Sequence, residues 1–202
     1  MPKVVDHEAR RRRLAEAVWA LTVRDGLEGV TLRKVAAEAG VSMGQVQHYY
    51  GSMEKLVGDA VARAVHALNA KIESSIQEAA VRAGGTASAE TMLRSCLHAM
   101  LARDEESLRL LRLSVAVLGK AVSDPAMAGV LAPGDDELLS FTAGLINDAR
   151  AERGTPARGD ARLDADICWS LAVSLGVDIA IGHRARDEAG RLLDYHLENV
   201  LG

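Results

Sequence analysis

Aromatic residues and cysteines are scarce in this chain, and long apolar runs are missing. Only 3% of the 202 residues are aromatic, which argues against a β-sandwich or barrel because strands favour aromatic and β-branched side chains. Two cysteines, Cys96 and Cys168, are too few for a four-cysteine metal site and do not indicate a disulfide scaffold. The longest uncharged apolar candidate, residues 167–177, is closed by Asp166 and Asp178, well short of the about 18 residues that indicate a transmembrane helix.

The known signatures of enzymes are also missing. There is no G-x-G-x-x-G and no P-loop, and the six histidines show no metal-ligand spacing such as H-E-x-x-H. The segment 172–176 lacks the first glycine of a nucleophile elbow and lies in a predicted helix. We interpret Cys96 and Cys168 as buried hydrophobic residues rather than nucleophiles. We therefore expect no enzyme activity, no metal and no cofactor.

Charge is distributed unevenly along the chain. The net charge is −4, yet residues 1–55 hold nine basic and seven acidic residues. An acidic protein with a basic end is not a general nucleic-acid binder, although it can bind DNA through that end. Since the start Met1-Pro2-Lys3 leads into charged residues rather than a signal peptide, we expect a cytoplasmic protein.

Helical patterning is what the sequence does contain. Leu14, Val18 and Leu21 form an i, i+4, i+7 stripe, and Ala, Leu, Val and Arg are abundant. The sequence predicts an all-α protein of about nine or ten helices, with no strand. The predicted helices cover 10–24, 32–39, 42–50, 52–80, 88–103, 104–123, a segment beginning at Asp124-Pro125, 135–153, 163–184 and 187–200.

Residues 31–50 have the layout of a DNA-binding helix-turn-helix. Thr31 is a predicted N-cap, Gly40 ends the first helix as a C′ glycine, and Ser42 with Gln45 forms a capping box that opens the second helix. Val35, Val41 and Val46 are spaced to fill the wedge between the helices. Helical hairpins also occur as ordinary core elements, so this pattern alone leaves both interpretations open.

The second helix of this pair carries side chains that suit base recognition. In a helix-turn-helix it lies in the major groove and presents its N-terminal residues to the bases. Gln45 and Gln47 can each make a bidentate contact with adenine, and Met43 can contact a thymine methyl group. Arg33 and Lys34 precede this helix and can reach phosphates or a base edge.

The wider segment from about Arg11 to Leu56 resembles the N-terminal domain of the TetR family of transcriptional repressors. The matching segments are Leu14-Ala15-Glu16-Ala17, Asp25-Gly26-Leu27, Val30-Thr31, Arg33-Lys34-Val35-Ala36, Ala39-Gly40-Val41-Ser42-Met43-Gly44 and Tyr49-Tyr50-Gly51-Ser52-Met53-Glu54-Lys55-Leu56. The stretch that begins Leu163-Asp164-Ala165-Asp166-Ile167 resembles the BetI-type branch.

The resemblance implies a three-helix DNA-binding domain with a helix-turn-helix at 1–52, and a helical ligand-binding and dimerisation domain at 53–202. It implies a homodimeric repressor that binds a pseudo-palindromic operator in double-stranded DNA. We expect a small, largely apolar inducer to release the protein from DNA. A regulator controlled by a protein partner or by its abundance, without a ligand, and an activator remain the alternatives. The expected DNA-binding residues are Thr31, Leu32, Arg33, Lys34, Ser42, Met43, Gly44, Gln45, Gln47, His48 and Tyr49.

Two features near the expected DNA surface lead to separate expectations. The family usually has Lys at the position of Met53, where it contacts a phosphate; Lys55 lies two places on and does not share that face. We therefore expect one phosphate contact fewer and a weaker dependence on salt. The basic run 10–13 is either a solvated helix end or a phosphate clamp beside the minor groove.

The C-terminal half is less specific in its pattern. We expect the helices 135–153 and 163–184 to form the dimer interface or plain core, and the second, apolar on nearly every side, to be buried. The apolar side chains of this half fit ordinary core filling, the commoner role for such residues, or the walls of a ligand pocket. The candidate ligand-binding residues are Met92, Cys96, Met100, Leu113, Val117, Phe141 and Trp169.

Overall fold

The computed structural model describes residues 3–82, 84–85, 87–102, 104–122, 136–155 and 159–202. Within these residues the chain forms nine α-helices, two 3-10 turns and no strand, which confirms the all-α prediction. The predicted helix after Asp124-Pro125 lies outside the described residues. The helices are α1 Lys3–Asp25, α2 Leu32–Ala39, α3 Met43–Tyr50, α4 Met53–Arg82, α5 Ala89–His98, α6 Glu105–Ala121, α7 Asp136–Arg153, α8 Ala161–Ala180 and α9 Arg186–Leu201.

The bounds of three helices differ from the sequence prediction by the largest margins. Helix α1 begins at Lys3 rather than residue 10, because no glycine or proline interrupts the segment. The predicted helix 88–103 ends as an α-helix at His98 and continues as a 3-10 turn to Leu101. The predicted helix 163–184 runs instead from Ala161 to Ala180, because the Asp160 carboxylate accepts the first backbone N–H groups and a left-handed Gly182 follows its end.

The described residues divide into two compact units. One consists of residues 3–67 together with 112–122, and the other of the remaining described residues. In the first unit, α1 packs on α2 and α2 on α3. Leu14, Val18 and Leu21 of α1 are buried as their spacing predicts, and they form a core with Val35 and Val46. The predicted boundary at residues 52 and 53 stays a prediction.

The second unit is built on α5, α7, α8 and α9. Helix α7 packs on α5 and α8, and α9 packs on α8. The core is almost entirely aliphatic, and Leu93, Leu97, Ile146, Leu193 and Leu197 are among its fully buried side chains. None of the described helices is long and apolar enough to cross a membrane.

Among the described residues, one charged side chain lies inside the second core. Arg150 of α7 is 5% exposed, and its guanidinium donates to the Val200 carbonyl at 2.8 and 3.0 Å and to the Asp164 carboxylate at 2.7 Å. The group therefore satisfies a carbonyl in the last turn of α9, where a positive charge is favourable. The ion pair joins α7 to α8, and the hydrogen bonds to Val200 join α7 to α9.

Helix α8 is buried on one side only, so the prediction that it is buried all round is wrong for the single chain. Leu163 is 62% exposed, Ile167 52% and Val173 42%. Its opposite side carries Cys168 and Trp169 into the core. The pattern is apolar on nearly every side because the outward side mixes its large apolar residues with Asp166, Ser170 and Ser174.

Candidate nucleic-acid interface

Helix α2 begins and ends at the residues that the sequence predicts. The Thr31 hydroxyl accepts a hydrogen bond from the Lys34 N–H at 3.3 Å. At the other end Gly40 has a left-handed φ of 63°. Its N–H donates to the Ala37 carbonyl, and the Val41 N–H donates to the Ala36 carbonyl. These two bonds form a Schellman motif, which turns the chain sharply towards α3.

Helix α3 begins with the predicted capping box. The Ser42 hydroxyl accepts from the Gln45 N–H at 3.2 Å, and the Gln45 side-chain oxygen accepts from the Ser42 N–H at 3.1 Å. The helix buries only two of its eight residues, Val46 and Tyr50. Everything else on it is exposed or half-buried, so most of α3 faces away from the core.

The exposed face of the pair carries most of the predicted DNA-binding residues. Residues exposed to solvent are Thr31, Arg33, Lys34, Ser42, Met43, Gly44, Gln47 and His48, and half-buried ones are Leu32, Gln45 and Tyr49. Val35 and Val46 are fully buried and Val41 is half-buried. The wedge prediction therefore holds for two valines and in part for the third.

Besides the two capping hydroxyls, the longer side chains of Gln45 and Lys34 are already engaged. The Gln45 side-chain oxygen is used by the capping box, so a bidentate contact with adenine from this residue requires the box to open. The Lys34 ammonium donates to the Asp25 carboxylate at 3.1 Å, and this contact lowers the pKa of Asp25. Gln47 is the more exposed of the two glutamines.

A cleft of about 230 Å³ lies beside the turn between α2 and α3. Arginines enter it from α1, and Gln45 and Tyr49 enter it from α3. The Tyr49 ring lies edge-on to the rings of His7, at 5.4 Å, and His48, at 5.8 Å, between centroids. The lining residues are Arg10, Arg13, Leu14, Gly40, Val41, Gln45 and Tyr49.

The candidate ligand-binding residues are divided between the two units, and their role stays a prediction. Leu113 and Val117 belong to the first unit, and the other five belong to the second. Cys96, Met100, Leu113, Val117 and Trp169 are buried, Met92 is half-buried, and Phe141 is 46% exposed. The Trp169 indole N–H donates to the Thr142 hydroxyl at 3.0 Å, which ties α8 to α7.

Both cysteines are buried, which confirms their interpretation as hydrophobic residues. Burial raises the pKa of Cys96 to about 12 and, together with the nearby Asp164 carboxylate, that of Cys168 to about 11. The thiols therefore stay protonated and are poor nucleophiles. Among the described residues, no group of three His, Cys, Asp or Glu side chains is arranged to hold a metal ion.

The sequence analysis missed a set of contacts around Tyr50, which closes α3. Its hydroxyl donates to the Asp59 carboxylate of α4 at 2.6 Å, and the same carboxylate accepts from Arg63 at 2.8 Å. The i, i+4 spacing of Asp59 and Arg63 was a visible signal. The third partner of the set, Glu8, lies 55 residues before Arg63, and no local pattern connects them.

Comparison with known proteins agrees with this arrangement. Residues 14–60 match the model of bacterial regulatory proteins of the tetR family, and residues 89–202 match the C-terminal domain of BetI-type transcriptional repressors. The HTH-type transcriptional regulator PksA of Bacillus subtilis is 36% identical over 202 residues, which cover 99% of this chain and 94% of that protein.

Solved structures share the fold. A TetR-family transcriptional regulator from Rhodococcus sp. has a TM-score of 0.79 at 20% identity, over 96% of this chain and 100% of that one. A transcriptional regulator from Saccharomonospora viridis in complex with choline has a TM-score of 0.75 at 19% identity, over 95% and 96% of the two chains.

These proteins are transcriptional regulators rather than enzymes, as the sequence predicts. Members of the family bind DNA through the helix-turn-helix and dimerise, and their C-terminal domain binds ligands. Two findings establish the family of this chain. One relative is 36% identical over 99% of the chain, and the C-terminal family model matches more than half of the chain. The chain belongs to the TetR family and is a DNA-binding transcriptional repressor with a BetI-type C-terminal domain.

Proposed function

We propose that two copies of this chain bind an inverted-repeat operator, each with its α3 in a major groove. The observation that carries this proposal is the form of α3, a doubly capped helix that buries only Val46 and Tyr50 and exposes Met43, Gln47 and His48. Half-sites about one helical turn apart, or a little more, suit such a dimer.

Base contacts come from the exposed side of α3. Gln47 suits adenine, and Met43 suits the methyl group of thymine. Gly44 allows the backbone to approach the DNA closely. Gln45 contributes through its amide N–H₂ group while its oxygen stays in the capping box.

Phosphate contacts flank α3 on both sides. Thr31, Leu32, Arg33 and Lys34 form the start of α2, where backbone N–H groups and basic side chains favour a phosphate. Since Lys34 is paired with Asp25, Arg33 is the stronger candidate of the two. The cleft that Arg10 and Arg13 enter supports the clamp interpretation of the basic run. Ser42, His48 and Tyr49 complete the proposed set.

The second copy binds the outward side of α7 and α8. Leu163, Ile167 and Val173 are exposed there on α8, and Phe141 is exposed on α7. Exposed apolar residues that cluster on one face mark an interaction surface, and a two-fold interface needs one such self-complementary surface. A cytoplasmic location is retained in this proposal, because a DNA-binding regulator must share a compartment with its operator.

A small, largely apolar molecule is the proposed inducer. The second unit has an aliphatic core, and choline, which the Saccharomonospora viridis protein binds, needs aromatic faces or carboxylates. Beyond residue 67 the sequence has only three aromatic residues, Phe141, Trp169 and Tyr195. Two of them are exposed, and Trp169 is hydrogen-bonded to Thr142. This composition does not suit a quaternary ammonium ion.

Helix α4 is the proposed connection between ligand and DNA, because it holds residues of both units. In its second half Lys71 donates to Asp104 at 3.1 Å and pairs with Glu106 at 3.0 Å, at the start of α6. Inducer weakens DNA binding by the same factor by which DNA weakens inducer binding.

Selection of duplexes from a random pool at physiological salt, followed by footprinting, tests the proposed operator. We expect enrichment of an inverted repeat with two protected half-sites. Weak, salt-sensitive binding without enrichment would contradict the proposal.

The operator then serves to test the inducer. Apolar metabolites and drugs are expected to raise the thermal midpoint and to release the operator, whereas choline does neither. A response to choline, or to no compound at all, would contradict the proposed ligand class. Response to no compound would favour control by a protein partner or by abundance.

A further inference from the structure

Three helices of the first unit are joined by a closed set of side-chain contacts. The Tyr50 hydroxyl of α3 donates to an Asp59 carboxylate oxygen of α4 at 2.6 Å. The same oxygen accepts from Arg63 Nε at 2.8 Å. The two terminal nitrogens of Arg63 donate to the two carboxylate oxygens of Glu8 on α1, at 2.6 and 3.3 Å. Arg63 therefore uses its planar fork to bridge α4 and α1.

The Tyr50 ring closes the set on its other side. The Arg11 guanidinium of α1 lies 5.8 Å from the ring centroid, within the range of a cation–π contact. Burial and the Asp59 carboxylate raise the pKa of Tyr50, so its hydroxyl keeps the proton that it donates. The hydrogen bond from Arg63 lowers the pKa of Glu8, so that carboxylate stays ionised.

Helix α3 has few other anchors. It buries only Val46 and Tyr50, and the capping box at its start joins Ser42 and Gln45 within the helix itself. Tyr50 is the last residue of α3 and follows Gln47, which we propose to contact a base. The direction of the second half of α3 therefore depends on how Tyr50 is held.

We infer that Asp59 and Arg63 are positioning residues for DNA recognition, which set the orientation of α3 through the Tyr50 hydroxyl. The inference rests on the proposed function, in which α3 reads the operator. Bidentate base contacts demand a precise orientation, whereas phosphate contacts tolerate small shifts. The contacts around Tyr50 therefore control the preference for operator over other DNA more than the affinity for DNA in general.

The substitution Tyr50→Phe tests this inference because it removes one oxygen atom and keeps the ring. Affinity is measured for the selected operator and for a scrambled duplex of equal length at the same salt concentration. We expect operator affinity to fall about tenfold, as for the loss of a hydrogen bond to a charged group, and scrambled-duplex affinity to change less than about twofold. The control Tyr195→Phe removes a hydroxyl from an exposed tyrosine of α9 and is expected to change neither.

A second pair of variants shows whether the hydroxyl acts through α4. Asp59→Asn keeps the shape of the side chain and removes its charge. The double variant combines both substitutions. If Tyr50 and Asp59 act as a unit, its fold-loss of operator affinity is smaller than the product of the fold-losses of the two single variants. Circular dichroism and the thermal midpoint, which we expect to fall by less than about 4 °C, establish that each variant is folded.

The outcomes separate the two proposals. Equal losses on both duplexes, or operator losses that multiply in the double variant, would show a purely structural role for these residues. An unchanged operator affinity in a folded Tyr50→Phe variant would also overturn the inference and leave the operator proposal intact. A wild-type protein that prefers no duplex would overturn the proposed function itself, and this inference with it.

Discussion

Helices α3 and α8 both leave one side exposed, and the two exposed sides differ in chemistry. Helix α3 exposes Gln47, His48 and Gly44, which can form hydrogen bonds or allow close approach. Helix α8 exposes three large apolar side chains, Leu163, Ile167 and Val173, beside polar ones such as Asp166 and Ser170. The apolar side chains can be removed from water only by another apolar surface. The exposed side of α3 therefore suits DNA, whose groove edges and phosphates are polar, and that of α8 suits a second protein chain.

The buried sides differ as well. Helix α3 is held by two buried residues and by the hydroxyl of Tyr50, whereas α8 buries eight of its twenty residues. A short helix with few anchors can be displaced by small changes in its surroundings, and a long helix with many cannot. Orientation is therefore the sensitive property of α3, and close packing is that of α8.

The largest effect is expected from Ile167→Glu, which places a charge on the exposed side of α8. The isolated chain tolerates this change because the side chain is in solvent, but a dimer interface does not. We expect a monomer in light scattering and a loss of operator affinity of about 100-fold or more, since two linked half-site contacts become one. Val81→Glu, at an exposed valine of α4, serves as the control and is expected to leave the dimer intact. A dimeric Ile167→Glu variant would place the interface elsewhere.

On the buried side of α8, Gly176→Ala is expected to destabilise the fold. The added Cβ would lie 2.7 Å from the Met100 carbonyl oxygen, so the backbone must shift, at a cost of about 1–3 kcal/mol in the free energy of unfolding. At Gly119 of α6 the added Cβ has no neighbour within 4 Å, and Gly119→Ala is expected to stabilise by about 0.5–1 kcal/mol. Urea unfolding measures both, and effects of the same sign would contradict this account of α8 packing.

On α3, Gln47→Ala is expected to lower operator affinity about tenfold, because it removes a bidentate base contact. Binding to a scrambled duplex and the dimer are expected to be unchanged. Gln77→Ala, at an exposed glutamine of α4, is the matched control. Equal losses on operator and scrambled DNA would mean that Gln47 does not contact a base.

The smallest effect is expected from Met53→Lys at the start of α4, which adds one phosphate contact beside α3. The slope of log K against log salt concentration is expected to become steeper by about 0.9. Lys55→Met is the control, because Lys55 does not share the face of Met53, and its slope is expected to stay unchanged. If the slope does not change for Met53→Lys, this position does not lie near a phosphate.

Local patterns in the sequence predicted the helix-turn-helix well. The caps at Thr31 and Ser42 and the turn at Gly40 depend on residues only three or four apart. The contacts of Tyr50 with Asp59, and of Arg63 with Glu8, connect residues brought together by the tertiary fold. These contacts could not be read from spacing.

For α8 the sequence was ambiguous for a different reason. A helix that is apolar on nearly every side is either buried within its own chain or buried on one side and covered by a second chain on the other. Both cases give the same hydrophobic pattern in the sequence. Burial of Cys168 and exposure of Ile167 separate the two sides. The ion pair of Arg150 with Asp164 was also hidden, because its members lie on different helices.

Footprinting of the selected operator with the wild-type protein, Gln47→Ala and Ile167→Glu, alongside light scattering of the same samples, tests the central claim most directly. The account predicts two protected half-sites for the wild-type dimer, weakened protection for a Gln47→Ala protein that is still dimeric, and a monomeric Ile167→Glu protein that protects neither half-site at the same concentration. Full protection by a monomer, or loss of the dimer in Gln47→Ala, would contradict the division between a DNA-binding side on α3 and a protein-binding side on α8.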